Sequence, residues 1–252
     1  MTRPLLIGNW KMHGDGAMLP AVARVAATAA CHPQIEVALC PPATLIDRAA
    51  VQAPSLTIGA QDCHSATQGA HTGEISAPML RDAGARLVIL GHSERRRDQN
   101  ENDTLIAAKV RAAQDAGLRV VLCVGETHDQ RAAGRARAVV DAQLRGGLDG
   151  AAPTGIVIAY EPVWAIGSGT TPTPAEVADM AAFIRNTLHR LGLDDVPVLY
   201  GGSVTAGSCG ALAAGGQVDG FLVGKASLDP HEFGAMIESL AARGEHRLAA
   251  RA

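Results

Sequence analysis

Residues 86–124 read RLVILGHSERRRDQNENDTLIAAKVRAAQDAGLRVVLCV and contain one complete strand–helix–strand unit. The apolar runs 86–90 and 119–124 are short and nearly continuous, which is typical of parallel strands covered on both faces. Between them, residues 104–116 place apolar side chains at helical spacing with charged ones opposite. Gly117 ends this helix just before the second strand. The stretch therefore predicts two parallel strands joined by a helix.

The same alternation of strand and helix continues along the whole chain. Segments 130–144 and 174–191 are further alanine-rich helices, and the second begins with a capping threonine, Thr173. Eight such units in 252 residues, without a linker, predict one closed eight-stranded parallel (β/α)8 barrel spanning residues 1–252. A doubly wound open sheet is the alternative, but no G-x-G-x-x-G follows a predicted strand. The predicted strands are residues 5–9, 35–40, 56–61, 86–90, 119–124, 155–161, 196–201 and 220–223.

Composition narrows the class of protein. Apolar residues make up 47% of the chain, and the formal net charge is −3, which predicts neither nucleic-acid nor membrane binding. Five cysteines, an odd number without a C-x-x-C pair, are typical of reduced thiols. The N-terminus lacks the apolar core of a signal peptide, and no run approaches the length of a membrane span. We expect a cytoplasmic protein.

Residues that can bind an anion follow the first and the last two strands. In such barrels the site lies at the carboxyl ends of the strands. Lys11 places a positive charge there, unless it is a solvated surface lysine, and Asn9 adds an amide donor on the same face. The glycines at 201–202 and Gly224 allow backbone amides to approach an anion closely. These strand ends predict a phosphate site.

His92 follows the fourth strand, where a helical turn is expected to begin. The helix dipole disfavours a charged imidazole there, and a neutral one can donate a hydrogen bond to a carbonyl group. The alternative is a core histidine satisfied by the backbone. The arginine run 95–97 is expected to be solvated or paired with Glu94 or Glu101.

Glu161 ends the sixth strand, and a glycine-rich, mostly uncharged loop follows it at 162–172. Such a loop can close over a carboxylate and exclude water, which suits a general base. A structural carboxylate paired with an arginine is the alternative. The nine histidines are scattered, and no metal-binding spacing is present. Together with Lys11 and His92, Glu161 indicates proton transfer beside a carbonyl of a small phosphorylated substrate, without a metal or a cofactor.

Six motifs, in order and at matching spacing, resemble the triosephosphate isomerase family from residue 5 to about residue 240. They lie at residues 9–11, 72–75, 91–96, 123–126, 159–167 and 200–204. The resemblance implies interconversion of dihydroxyacetone phosphate and glyceraldehyde 3-phosphate through an enediolate, with no cofactor. It assigns proton transfer to Glu161, carbonyl polarisation to His92, and substrate and oxyanion binding to Lys11 and Asn9. It assigns phosphate binding to the backbone amides of Gly167, Ser203, Gly224 and Lys225.

The resemblance also implies supporting roles for Glu94 and Cys123, and closure of loop 163–171 over the enediolate. It further implies a homodimer in which loop 61–76, with Thr72 at its tip, reaches the neighbouring site. We therefore expect full activity to require the dimer.

The chain departs from the family pattern at Lys225, where a second glycine is usual. If that position required a positive φ, a lysine would cost on the order of 1 kcal/mol; otherwise its amide is retained and its side chain adds charge. Thr170 and His71 also replace residues common in the family. An isomerase of a related four-carbon sugar phosphate remains an alternative, as does an aldolase-like lyase that forms a Schiff base on Lys11. A third alternative is an inactive barrel that only binds phosphate.

Overall fold

The computed structural model describes residues 3–165, 172–215 and 217–249. Eight strands form a closed barrel in which each strand pairs in parallel with the next and the eighth pairs with the first. The strands are β1 Leu5–Asn9, β2 Glu36–Cys40, β3 Thr57–Ala60, β4 Leu87–Leu90, β5 Arg119–Val124, β6 Ile156–Tyr160, β7 Val198–Gly202 and β8 Gly220–Val223. The predicted (β/α)8 barrel, the TIM-barrel architecture, is confirmed.

Helices surround the barrel and connect successive strands. They are α1 Leu19–Cys31, α2 Ile46–Gln52, α3 Ala77–Asp82, α4 Ser93–Asp98, α5 Asp103–Asp115, α6 His128–Ala132, α7 Ala136–Gly147, α8 Pro174–Arg190, α9 Ala206–Ala214 and α10 Pro230–Ala249. Short 3-10 helices span Gly16–Met18, Ala43–Leu45, Val163–Ala165 and Lys225–Leu228. None of the helices in the described ranges combines the length and hydropathy needed to cross a bilayer.

Both faces of the strands are buried, which explains why their sequences are continuously apolar rather than alternating. Outward residues pack against the helices in the larger core, while inward residues fill the barrel. Little room is left inside, since a Cβ on Gly59 would lie 2.4 Å from Leu87 Cδ1. The inward set is Leu5, Ile7, Ala38, Cys40, Leu87, Ile89, Val121, Cys123, Val157, Ala159, Leu199 and Leu222.

Local signals predicted the start of α8 and the end of α5 correctly. Thr173 and Glu176 form the predicted capping box of α8, and Gly117 has a φ of 74° just after α5. The single helix predicted at 130–144 is wrong, because the chain there forms α6 and α7. The break occurs at Gly134, which has a φ of 68°, a conformation that an α-helix does not contain.

Candidate active site

A cavity of about 780 Å³ opens at the carboxyl ends of the strands. Its position follows from the fold, because parallel strands all deliver their last residues to the same end of the barrel. The cavity brings together seven residues predicted from the sequence: Asn9, Lys11, His92, Glu161, Ser203, Gly224 and Lys225.

Lys11 lies just past β1 in a left-handed conformation, with a φ of 53°. Such a conformation is uncommon outside glycine and has to be held by its surroundings. The Asn9 side chain accepts a hydrogen bond from the Lys11 N–H at 3.0 Å. The amide of Gln61 donates to the carbonyls of Lys11 and Cys40, at 2.8 and 2.9 Å. The Lys11 ammonium then reaches the Glu94 carboxylate, with 2.6 Å between Nζ and Oε1.

His92 caps the N-terminus of α4, so its ring faces the site while the chain turns into the helix. Its Nδ1 accepts the Glu94 N–H at 3.2 Å. Only an imidazole without a proton on Nδ1 can accept this bond, so the neutral ring carries its proton on Nε2. That Nε2 is 3.3 Å from Glu161 Oε1. The arrangement gives His92 one donor aimed into the cavity.

Glu161 directly follows β6 and is buried, with 5% of its surface exposed. Glycines make room for it, since a Cβ on Gly201 would lie 2.7 Å from Glu161 Cγ and one on Gly125 would meet the Glu161 carbonyl. Its Oε2 is buried and has no hydrogen-bonding partner among the described residues. A buried carboxylate oxygen with a free lone pair is suited to accept a proton from a substrate.

Burial and mutual attraction have opposite effects on the pKa values of His92 and Glu161. Burial alone would raise the pKa of Glu161, but the charge and hydrogen bonds of His92, with contributions from Lys11 and the Cys123 thiol, hold that pKa below its usual value. Burial opposes a charge on His92 as well, but the Glu161 carboxylate outweighs it and raises the pKa of His92. The hydrogen bond that Nδ1 accepts from the Glu94 N–H acts the other way, because only the neutral ring can accept it. Burial raises the pKa of Cys123, so its thiol keeps the proton it donates. Glu161 is therefore ionised at neutral pH.

Three residues predicted to bind phosphate line the same cavity. Ser203 lies between β7 and α9 and is exposed, and Gly224 follows β8. Lys225 is exposed and begins a 3-10 helix; it is not among the non-glycine residues with a positive φ, so the strain considered for this position does not arise. Gly167, like all of residues 166–171, lies outside the described residues.

Thr72 is exposed in loop 61–76 and lies outside this cavity. The arginine run was only partly predicted: Arg95 pairs with Glu101 as expected and also with Asp62, whereas Glu94 pairs with Lys11.

Three residues beside the site were not predicted to support it. Gln61 holds the Lys11 backbone, and Arg96 donates to backbone carbonyls next to His92. Glu126 is buried and accepts hydrogen bonds from Tyr160 and Trp164. Gln61 ends the predicted third strand, and this position at a strand end is the sequence signal that identifies it as a site residue.

Comparison with known proteins identifies the family. The sequence model described as triosephosphate isomerase matches residues 4–240. A triosephosphate isomerase of Ruegeria sp. (strain TM1040) is 50% identical over 246 residues, covering 96% of this chain and all of that protein. One from Xanthobacter flavus is 51% identical, covering 94% of this chain and 98% of that protein. The crystal structure of the Bartonella henselae enzyme superimposes with a TM-score of 0.87 at 40% identity, covering 94% and 98% of the two chains. The chain belongs to the triosephosphate isomerase family of aldose–ketose isomerases.

Proposed function

We propose that Glu161 is the base that interconverts dihydroxyacetone phosphate and glyceraldehyde 3-phosphate, moving a proton between two adjacent carbons. One observation carries the proposal: Oε2 of this buried, ionised carboxylate has no partner among the described residues, at the wall of the substrate-sized cavity. Removing a proton beside a carbonyl gives an enediolate, and the same carboxyl group returns the proton to the neighbouring carbon.

His92 and Lys11 stabilise the charge that develops on oxygen as the proton leaves carbon. A neutral His92 with its proton on Nε2 donates a hydrogen bond to the carbonyl oxygen, and it can move hydroxyl protons between the two oxygens. The Lys11 ammonium adds a fixed positive charge, and Asn9 fixes the Lys11 backbone. Cys123 and Glu94 support this set, through the Glu161 carboxylate and the Lys11 ammonium respectively.

The phosphate of the substrate binds at the ends of β7 and β8, to the backbone amides of Ser203, Gly224 and Lys225, with the exposed Lys225 side chain nearby. Gly167 remains a prediction from the sequence as the fourth amide. Gly224 lies beside Lys11, since a Cβ built on Gly224 would be 3.6 Å from Lys11 Cε, so the phosphate would bind next to the ammonium group.

The Schiff-base alternative has no support in the geometry. A lysine that forms a Schiff base reacts as a neutral amine. Lys11 Nζ instead lies 2.6 Å from Glu94 Oε1, in an ion pair.

The substitution Glu161→Gln tests the proposal, with Glu238→Gln, an exposed glutamate on α10, as the matched control. We expect kcat on triose phosphates to fall by about 10²- to 10⁴-fold for Glu161→Gln, the usual contribution of a general base, with the control unchanged. Equal loss in both variants, or a wild-type kcat/KM at least about tenfold higher on a tetrose phosphate, a ratio worth about 1.4 kcal/mol, would overturn the assignment.

We also propose that the enzyme is a cytoplasmic homodimer of single catalytic domains spanning residues 1–252. Residues 67–74 of loop 61–76 are exposed, and Met12, next to Lys11, is 94% exposed. The exposure of this methionine supports association, since a large exposed apolar side chain beside a site is typical of an interface. The five cysteines are free, which supports a reducing compartment.

Sedimentation tests the dimer. We expect wild type to sediment as a dimer and Met12→Asp to sediment as a less active monomer. A fully active wild-type monomer at micromolar concentration would contradict the proposal.

A further inference from the structure

Arg96 lies on α4, four residues after His92, and its side chain is 17% exposed. Each guanidinium nitrogen has an acceptor. Nε donates to the carbonyl of Gly91 at 2.8 Å, Nη1 to Asp103 Oδ1 at 2.6 Å, and Nη2 to the carbonyl of Cys123 at 3.5 Å. Two of these acceptors are backbone groups at the ends of neighbouring strands, which a solvated arginine would not contact.

The Gly91 carbonyl belongs to the peptide group that precedes His92. Gly91 has a φ of 68°, a left-handed conformation that turns the chain from β4 into α4. The Arg96 backbone N–H also donates to the His92 carbonyl, at 3.0 Å. The Arg96 side chain thereby fixes the peptide group before His92, while the backbone bond, which any residue at this position would make, fixes the one after it. Together the two peptide groups set the position of the imidazole ring.

The third acceptor joins this turn to the strand beneath Glu161. Cys123 lies on β5, and the Glu161 N–H donates to the carbonyl of the next residue on that strand, Val124, at 2.8 Å. A single guanidinium therefore connects the backbone that carries His92 to the backbone that supports Glu161.

We propose that Arg96 is a positioning residue that holds the His92 imidazole at its working distance from Glu161 and the substrate. The proposal rests on the role proposed above for His92. The planar fork of arginine places its donors at fixed angles, whereas a lysine offers a single mobile ammonium group. Arg97, the next residue, differs because its side chain is 68% exposed and pairs with the adjacent Asp98.

The test is a double-mutant cycle between Arg96→Lys and His92→Gln, with Arg97→Lys as the matched control. A displacement of about 1 Å costs up to 10²-fold in rate, so we expect Arg96→Lys to lower kcat by about 10- to 100-fold while KM changes less than about twofold. In the His92→Gln background the same change should lower kcat less than about threefold, because the group it positions is already absent. Arg97→Lys should leave kcat unchanged in both backgrounds.

Equal losses from Arg96→Lys in the two backgrounds, or a loss confined to KM, would overturn the proposal. If His92→Gln alone left kcat unchanged, the assignment of His92 would fail instead, so the two failures are distinguishable. Asp103→Asn removes only the carboxylate partner of Arg96 and keeps the shape of the side chain. It should lower kcat by a few-fold in the wild type and not in His92→Gln, which tests the proposal even if Arg96→Lys does not fold.

Discussion

The substitution Gly201→Ala displaces the Glu161 side chain without changing a residue that moves a proton or stabilises the developing charge. The added Cβ would lie 2.7 Å from Glu161 Cγ and 3.3 Å from Oε1. An ordinary carbon–carbon contact is about 3.5–4.0 Å, so the carboxylate must move by roughly 1 Å. A shift of this size costs up to about 10²-fold in rate, or about 2.7 kcal/mol of transition-state stabilisation.

Steady-state kinetics and thermal unfolding separate this effect from a loss of stability. Glu161 has several rotatable bonds, so the clash is relieved by moving the carboxylate, and the melting temperature should change little. Gly210→Ala is the matched control, because its Cβ would make an ordinary contact of 3.5 Å with Ser239 Oγ. A kcat for Gly201→Ala within about threefold of wild type, a difference below about 0.7 kcal/mol, would refute the geometry of the base.

Three further predictions follow from contacts around the site. Gln61→Leu leaves two carbonyls without a donor, so we expect a loss of about 1–3 kcal/mol in urea unfolding and a higher KM as Lys11 moves; unchanged values would show that Gln61 does not hold Lys11. His92→Gln removes the group that most lowers the pKa of Glu161. Burial then raises that pKa, so the acid limb of the kcat/KM profile should move to higher pH, and an unmoved limb would contradict this. Lys225→Met should raise KM by about two- to fivefold at low ionic strength and by much less in about 0.5 M salt, because salt screens the attraction between an exposed lysine and the substrate phosphate. A change in KM that does not depend on salt would exclude a charge effect.

The fold could be predicted because each strand is apolar on both faces. Runs such as 119–124 are continuous only if a barrel interior and a layer of helices both bury them. The one wrong helix, 130–144, kept its apolar spacing across Gly134, so periodicity gave no sign of the break. Amphipathic spacing reports which face is buried and not whether the backbone turns.

Much of the site could be predicted from the residues that follow strand ends, because parallel strands end at the same side of the barrel. Asn9, Lys11, His92 and Glu161 line one cavity there. The left-handed backbone of Lys11 could not be predicted, since it depends on a side chain fifty residues away. Arg96 was missed for the same reason: within a run of three arginines, only its contacts with backbone carbonyls distinguish it.

The proton transfer assigned to Glu161 can be followed directly as deuterium entering C1 of dihydroxyacetone phosphate in heavy water, by proton NMR. We expect rapid incorporation with the wild type, and incorporation slowed by about 10²- to 10⁴-fold with Glu161→Gln, because no other described group offers a buried acceptor at that position. Incorporation at the wild-type rate in Glu161→Gln would show that another group removes the proton.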